Sequence, residues 1–256
     1  MIKIKNEKEI ELMRVAGAIT AGALDEISKH IKPGISTLEL DKIAEKFIIN
    51  KGAKPAFLRY EGFPNSICAS IDDVVVHGIP KSNIILQEGQ IIGIDIGAKY
   101  NGFYGDAART FAVGEIDDER AKLVKVAREC FFKAIENLKE GSRLGDIGFA
   151  VERHAQKYGF EPVHQMGGHG IGKNLHEDPF VPMYGRAGTG VKLEAGMVLA
   201  IEPMINMGTY EIKVNGWDTR TADGLPSAHY ENTVLITKTG VEILTKTSDL
   251  EAYNLE

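Results

Sequence analysis

The sequence predicts an α+β domain made of two similar halves. Each half is a helix pair followed by strands of a curved, largely antiparallel sheet, and a pseudo-two-fold axis relates the two. Two observations carry this expectation. Helical apolar spacing gives way to short apolar strand runs twice along the chain, in the same order. The chain also overlays on itself at an offset of 107 residues: Gly34, Gly52 and Pro55 fall on Gly141, Gly159 and Pro162, and the run Leu86 to Asp95 falls on Leu193 to Glu202. So long a period excludes a solenoid and reads as a duplicated half-domain. We expect a single domain over 1–256, made of pseudo-repeats at about 1–115 and 116–250.

Each element has a local reason. Asn6 caps a run (Ile10, Met13, Val15, Ile19, Leu24, Ile27) with helical spacing, stopped by Pro33-Gly34. Ser36-Thr37-Leu38-Glu39 reads as a capping box for a second helix to about Asn50, closed by Gly52. Helices near Asp118–Leu138 and Leu144–Tyr158 take the same places in the second half. Strands and turns follow each pair, giving α-α-β-β twice. Asn101-Gly102 is a hairpin signal, because both residues tolerate positive φ.

Composition narrows the class. The chain has 256 residues, 43% hydrophobic and 26% charged, as in ordinary globular proteins. A net charge of −6 without a basic block argues against nucleic acid as a partner. The stretch Met1 to Arg14 is too charged for a signal peptide, and no apolar run is long enough for a bilayer. Cys68 and Cys130 are too few for a disulfide framework, which fits a reducing cytoplasm.

Four carboxylates then stand where apolar residues are expected. Asp95 interrupts Ile91 to Ile96, Glu202 interrupts Val198 to Ile205, Glu231 opens a strand-like run, and Asp106 follows the hairpin. A strand-end acid facing water would explain any one of them. Together they would be prohibitive to bury unpaired, and the basic residues nearby in sequence, Arg109 among them, are too few to neutralise four acids. One or two cations solve the problem. With Asn101-Gly102 as a two-residue loop, Gly97 lies opposite Asp106 and Asp95 is its diagonal neighbour. That places the two carboxylates on one face, about 7–8 Å apart at the backbone, with Gly93 and Gly97 leaving room for an ion. Glu202 and Glu231 form the matching pair, separated by a longer excursion.

Histidine comes from Gly167-Gly168-His169-Gly170-Ile171-Gly172-Lys173-Asn174-Leu175-His176. Glycines leave the His169 ring unobstructed. The same stretch falls one residue short of a phosphate loop, but Asn174 replaces the needed Ser or Thr, and Pro179 and Pro182 oppose a following helix. His77 ends the run Val74 to Val76 before a Gly-Ile-Pro turn, where backbone hydrogen bonding is the ordinary role. His30 and His154 read as structural, while His164 and His229 stay open. Glu177, Asp178, Asp72 and Asp73 read as solvated loop acids. One histidine and four acids suit Mn, Fe or Co better than a thiolate zinc site.

Val76-His77-Gly78-Ile79-Pro80, Asp95-Ile96-Gly97 with Gly105-Asp106, Gly168-His169-Gly170-Ile171-Gly172, Ile201-Glu202-Pro203 and Tyr230-Glu231-Asn232-Thr233 together resemble the type I methionine aminopeptidases. Order and spacing match from the first helix to about Lys246. The resemblance implies the pita-bread fold and an aminopeptidase that removes initiator methionine from newly made proteins, using two divalent ions (Co, Mn, Fe or Zn) to activate a water against the first peptide bond. Carried over by position, it implies Asp95, Asp106, His169, Glu202 and Glu231 as metal ligands, with Asp106 and Glu231 bridging. His77 would meet the scissile amide nitrogen, His176 the developing oxyanion, and Glu202 would also serve as general base. Tyr60, Phe63, Cys68, Leu175 and Trp217 would line the methionine pocket, where an apolar surface suits a thioether.

The pattern is that of a short type I form, without the N-terminal extension of longer type I enzymes, the insertion of type II, or the extra N-terminal domain of prolidases. It implies nascent polypeptide as partner and a cytoplasmic monomer, with no nucleic acid or membrane partner and with ribosome docking left open. Two alternatives stand beside it: an exopeptidase of this fold acting on X-Pro peptides, and a binding protein that has lost catalysis.

Overall fold

The structure, a computed structural model, describes residues 2–251. It opens with α1 (Glu7–Ser28) and α2 (Thr37–Asn50). Strands β1 (Lys54–Pro55), β2 (Ile67–Ile71), β3 (Val74–Val76), β4 (Ile91–Tyr100) and β5 (Phe103–Ala112) complete the first half, with a 3-10 turn at Tyr60–Gly62. The second half repeats the helix pair as α3 (Asp118–Ile135) and α4 (Leu144–Lys157), followed by β6 (Glu161–Pro162), β7 (Gly167–Gly170), β8 (Glu177–Pro182) and β9 (Val198–Ile201). An excursion of β10 (Met204–Asn206), β11 (Ile212–Asn215), β12 (Asp218–Thr221) and β13 (Ser227–His229) precedes β14 (Glu231–Ile236), β15 (Val241–Ile243) and α5 (Ser248–Glu251). The simple α-α-β-β order understates the second half, where this excursion is inserted between the two acid-bearing strands.

The helix starts follow their caps. Asn6 and Ser36 each accept the amide of the residue three along, Glu9 and Glu39, whose carboxylates bond back to the cap amides. The offset of 107 carries both ends of α2 onto α4 and β1 onto β6. It also carries the isolated bridge Ser36–Ile85 onto Arg143–Lys192. The third helix ends at Ile135 rather than Leu138, because the Leu138 amide turns back onto the Ile135 carbonyl and its side chain is buried there.

A nine-stranded sheet runs β1-β4-β5-β14-β9-β7-β8, with β2 on β4 and β15 on β14, and its pairings are antiparallel. Alternation along the strands separates two faces. Ile92, Ile94 and Ile96 of β4 pack with Leu24, Ile27, Leu40 and Ile48 of α1 and α2. Leu199, Ile201, Val234 and Ile236 pack with Leu123, Phe131, Ile147 and Val151 of α3 and α4. Burying each such side chain stabilises by about 1.5–3 kcal/mol. The opposite face is therefore free to carry polar groups. Two small three-stranded sheets, β13-β10-β6 and β11-β12-β3, complete the fold.

The hairpin register is as expected: Tyr100 faces Phe103, Gly97 faces Asp106, and Asn101 and Gly102 hold φ of 45° and 90°. The glycines have a different purpose, however. A Cβ on Gly97 would meet Ala56 Cβ at 2.8 Å and Phe57 Cε1 at 3.1 Å, so Gly97 admits a pocket wall rather than an ion. At Gly93 the nearest groups are Ser70 and Thr110, both at 3.6 Å. Three acids read as solvated are held instead. Glu177 pairs with Lys5 at 3.0 Å, their side chains 3% and 5% exposed, and accepts the Lys173 and Asn174 amides. Asp73 takes both oxygens to Arg220, and Asp72 accepts the Ile91 amide and faces Arg120. Only Asp178 is exposed as expected. Among the described residues no helix is long and apolar enough to cross a membrane.

Candidate active site

Because β4 and β5 pair antiparallel with Asp95 opposite Ala108 and Gly97 opposite Asp106, both carboxylates leave the same face. Strand β14 joins β5 through Glu231–Ala108 and Asn232–Ala107, which brings Glu231 to that face. Strand β9 lies on β14, and Glu202 follows directly after it. The second-half pair, 107 and 125 residues beyond Asp95 and Asp106, thus meets the first across the seam. His169 enters from β7, which pairs with β9 opposite Ala200.

Asp106, His169 and Glu231 offer ligand atoms within 4.8 Å of one another. His169 Nε2 is 3.8 Å from Asp106 Oδ2 and 3.6 Å from Glu202 Oε1. His169 Nδ1 donates to the Gly170 carbonyl at 2.9 Å, which leaves Nε2 as a lone pair facing the acids. The ion pairs that the acids draw go to His169 and His229, not to a lysine or arginine head. Arg109 makes no ion pair with these acids, since its guanidinium turns to the opposite side of the sheet and binds Asn232 and Thr247.

This crowding shifts every proton equilibrium. Burial, with the Glu202 charge adding and His229 opposing, pushes Asp95 up to about 7. Burial pushes Glu202 up to about 8. Asp106 and Glu231 rise well above the carboxylate range through burial and neighbouring acids. Burial drives His169 down to about 3 and His229 to about 4, so both rings stay neutral. Asp95 Oδ1, Asp106 Oδ1, Glu231 Oε1 and His229 Nε2 are buried and lack a hydrogen-bond partner. Buried polar atoms are rarely left so. Oxygen donors plus one neutral imidazole nitrogen fit divalent cations, which would satisfy all three carboxylate oxygens at once.

A cavity of about 150 Å³ opens over the cluster, with an apolar wall on one side and the acids and histidines on the other. It is lined by all five residues expected of a methionine pocket, Tyr60, Phe63, Cys68, Leu175 and Trp217, and also by the acids, His77, His169 and His176. Trp217, at the β11–β12 turn, stands edge-on to Phe63 at 5.2 Å and to His77 at 5.7 Å. His77 sits just past β3 at φ 61°. Gly78 makes that turn possible, because a Cβ there would strike the Ala69 carbonyl at 2.2 Å, and it accepts the Ala69 amide. His77 thus stands beside Cys68, its pKa lowered to about 4 by burial and by His229 and His176. His176 presents its ring edge to His169 at 4.3 Å, and its Nδ1 lies 3.0 Å from the Tyr60 hydroxyl. A wider groove continues outward past Val76, Gln165, Phe180 and Met204.

Two lining residues escaped the sequence reading, and His229, which it left open, stands beside the acids. Phe57 and Glu61 lie on the loop before β2 and form part of the cavity wall. His229 Nε2 reaches within 3.6 Å of Glu202 and 4.0 Å of Glu231. The signal for His229 was period two: it lies two residues before Glu231 and shares its face. His154 and His30 lie away from the site beside Glu129 and Glu26, and His164 is stacked between Tyr184 and Tyr210. Gly167–Asn174 forms β7 and a turn with no helix behind it, so it makes no phosphate loop.

Comparison with known proteins follows the same lines. The model of metallopeptidase family M24 matches residues 11–238. A methionine aminopeptidase of Clostridium acetobutylicum is 53% identical over 247 residues, covering 96% of this chain and 99% of that one. The crystal structure of methionine aminopeptidase from Rickettsia prowazekii superposes with a TM-score of 0.94 at 42% identity, over 96% of this chain and all of that one. The prolidase from Pyrococcus furiosus has a TM-score of 0.76 at 27% identity, covering 96% of this chain but 66% of its own. The fold is the pita-bread fold these enzymes share.

Proposed function

This chain belongs to metallopeptidase family M24, among its methionine aminopeptidases, and from that premise we propose that it removes N-terminal methionine from newly made polypeptides with two divalent cations. The observation that carries the reading is a buried carboxylate–histidine cluster with unpaired oxygens opening into a cavity that has an apolar wall. Asp95, Asp106, His169, Glu202 and Glu231 would hold the cations, Asp106 and Glu231 serving both. When bound, such ions supply Lewis acidity and a water that is nucleophilic at neutral pH.

The remaining work falls to side chains. Phe57, Tyr60, Phe63, Cys68, Leu175 and Trp217 bury the methionine thioether and so place the first peptide bond over the acids. Glu202 takes a proton from the attacking water as general base, a role open to it once bound cations hold it as a carboxylate. With the Tyr60 hydroxyl donating to His176 Nδ1, 3.0 Å away, the ring proton would stay on Nε2 to meet the carbonyl oxygen as it gains charge. His77 meets the scissile nitrogen. We read the whole as one catalytic domain of two pseudo-repeats, about 1–115 and 116–250, a division supported by the constant 107-residue offset.

The test is a peptide panel with metal-stripped protein reloaded with Mn, Co, Fe or Zn. Cleavage of Met-Ala peptides, with Leu-Ala and Ala-Pro left intact, is the expected outcome and ranks the metals. Cleavage confined to X-Pro peptides would move the chain to the prolidase branch. Absence of cleavage by a protein that binds the ions would make it a binding protein.

A further inference from the structure

The acids are contributed by two halves joined over a short seam: β5 and β14 share only the pairs Glu231–Ala108 and Asn232–Ala107. Side chains extend that seam on both faces. On the acid face, Thr233 Oγ1 accepts the Asp106 amide at 2.9 Å and donates to the Asp106 carbonyl at 2.8 Å. On the opposite face lies Arg109, 4% exposed. Its Nη1 donates to the Glu231 carbonyl at 2.6 Å and to the Ala108 carbonyl at 2.8 Å. Its Nη2 donates to Asn232 Oδ1 at 2.8 Å and Thr247 Oγ1 at 2.6 Å, and Nε to Asp249 Oδ1 at 3.3 Å. A guanidinium has five N–H donors, and all five are used. The group lies over the Tyr230 ring at 3.9 Å, and the Tyr230 hydroxyl donates to Asp249 Oδ2 at 2.9 Å.

We propose that Arg109 is a positioning residue for cation binding: it fixes the backbone of Glu231 from behind the sheet and ties the segment Thr247–Asp249 into the metal site. The inference rests on the ligand role given to Glu231 above. A carboxylate that serves two cations must keep its Cα in place while both oxygens are engaged, and a two-pair seam gives little restraint. Arg109 supplies that restraint at the one carbonyl adjoining the ligand's own Cα. Its charge also faces the cluster through a single peptide unit, whereas Asp249 balances it on the far side. The residues that close this clamp lie beyond β15, so a segment after the last strand contributes to a site it does not touch.

Mn(II) affinity by calorimetry and the visible d–d band of bound Co(II) test this in the full chain. Arg109→Gln is expected to bind Mn(II) about 10–100-fold more weakly, the usual effect of losing a partner behind a ligand, and to shift the Co(II) band. Arg109→Lys, which keeps the charge and one reach, recovers part of the affinity. Asp249→Asn weakens binding by less than Arg109→Gln and leaves the clamp otherwise intact. A folded Arg109→Gln protein with parental affinity and an unshifted band overturns the proposal. Should Arg109→Gln fail to fold, parental affinity in Asp249→Asn overturns it equally. A parental chain that binds neither ion would instead overturn the metal reading on which this rests.

Discussion

Gly105→Ala should loosen the whole first half of the site, because Gly105 is where α1 touches β5 one residue before Asp106. A Cβ at Gly105 would lie 2.8 Å from the Gly17 N and Cα and 2.9 Å from the Ala16 carbonyl carbon. These are backbone atoms, so no rotamer relieves the contact. Restoring an ordinary 3.4 Å or more requires the helix or strand to move by at least half an ångström. Gly17 is itself pressed on the Leu244 carbonyl, where an added Cβ would sit at 2.3 Å, and Thr20 Oγ1 donates to Gly105 O at 3.1 Å. The helix is therefore held on two sides and has little room to withdraw. Overpacking of this kind costs about 1–3 kcal/mol. At about 2–4 °C per kcal/mol for a domain near this size, the melting point should fall by about 2–12 °C. Asp106 moves with Gly105, and turnover should drop further than stability, toward the roughly hundredfold loss that an ångström of misplacement brings. Differential scanning of metal-free protein and steady-state cleavage of a Met-Ala peptide read the two effects. A melting point within about 1 °C of the parent, with unchanged turnover, would refute the argument that this backbone contact sets Asp106.

Asp106→Asn should abolish turnover while circular dichroism stays that of the parent, since an amide cannot bridge two cations; an unchanged rate removes the bridging role. His77→Ala should lower kcat with metal content unchanged, and loss of metal in that variant would make His77 a ligand. Glu202→Gln should lower metal affinity and cut turnover by about 10²–10⁴-fold, the usual share of a general base, so retained activity sinks both roles. Glu177→Gln should destabilise the fold at pH 7 by about 3 kcal/mol, the low end for breaking a buried pair, by leaving Lys5 without its carboxylate. Burial raises the Glu177 carboxyl, but the Lys5 bond and the Asn174 amide outweigh it and hold the pKa below its ordinary value. A depressed folded pKa gives stability that is full above the unfolded value near about 4.3 and is lost as pH falls through the folded value. The gap between parent and variant in denaturant melts should therefore close between about pH 5 and pH 3; a gap as wide at pH 3 as at pH 7 contradicts the pairing.

What could be read from the sequence was local or chemically forced. Asn6 and Ser36 announce helix starts because each cap bonds a residue three along, and Asn101-Gly102 announces a hairpin because both positions take positive φ. Asp95 and Glu202 were visible because a carboxylate in an apolar strand has few physical explanations. The duplication was visible in turn glycines: Gly34 and Gly141 hold φ of 93° and 94°, and Gly89 and Gly196 hold 86° and 92°. Glu177 was misread because its partner Lys5 lies 172 residues away, and nothing local distinguishes a buried acid at a strand start from a solvated one in a loop. Phe57 and Glu61 were missed because an aromatic and an acid in a loop carry no periodicity.

The same distinction separates ligands from the groups that hold them. The ligands proposed here are all Asp, Glu or His, so chemistry limits the alphabet and a displaced carboxylate stands out. The holding groups answer only to geometry. Thr233 spans the seam with a hydroxyl that could equally have been a solvent-facing strand threonine, and Arg109 reads as a stray cation near four acids. Counting charges along the chain makes Arg109 a candidate neutraliser of the cluster. The strand parity of β5 decides otherwise: Asp106 and Ala108 share one face and Arg109 takes the other. Its five bonds then reach Glu231, Asn232, Thr247 and Asp249, 122 to 140 residues distant, and Ala108 beside it. The proposed ligands can each be read within one half of the chain, while the contacts that make the halves meet are written in neither.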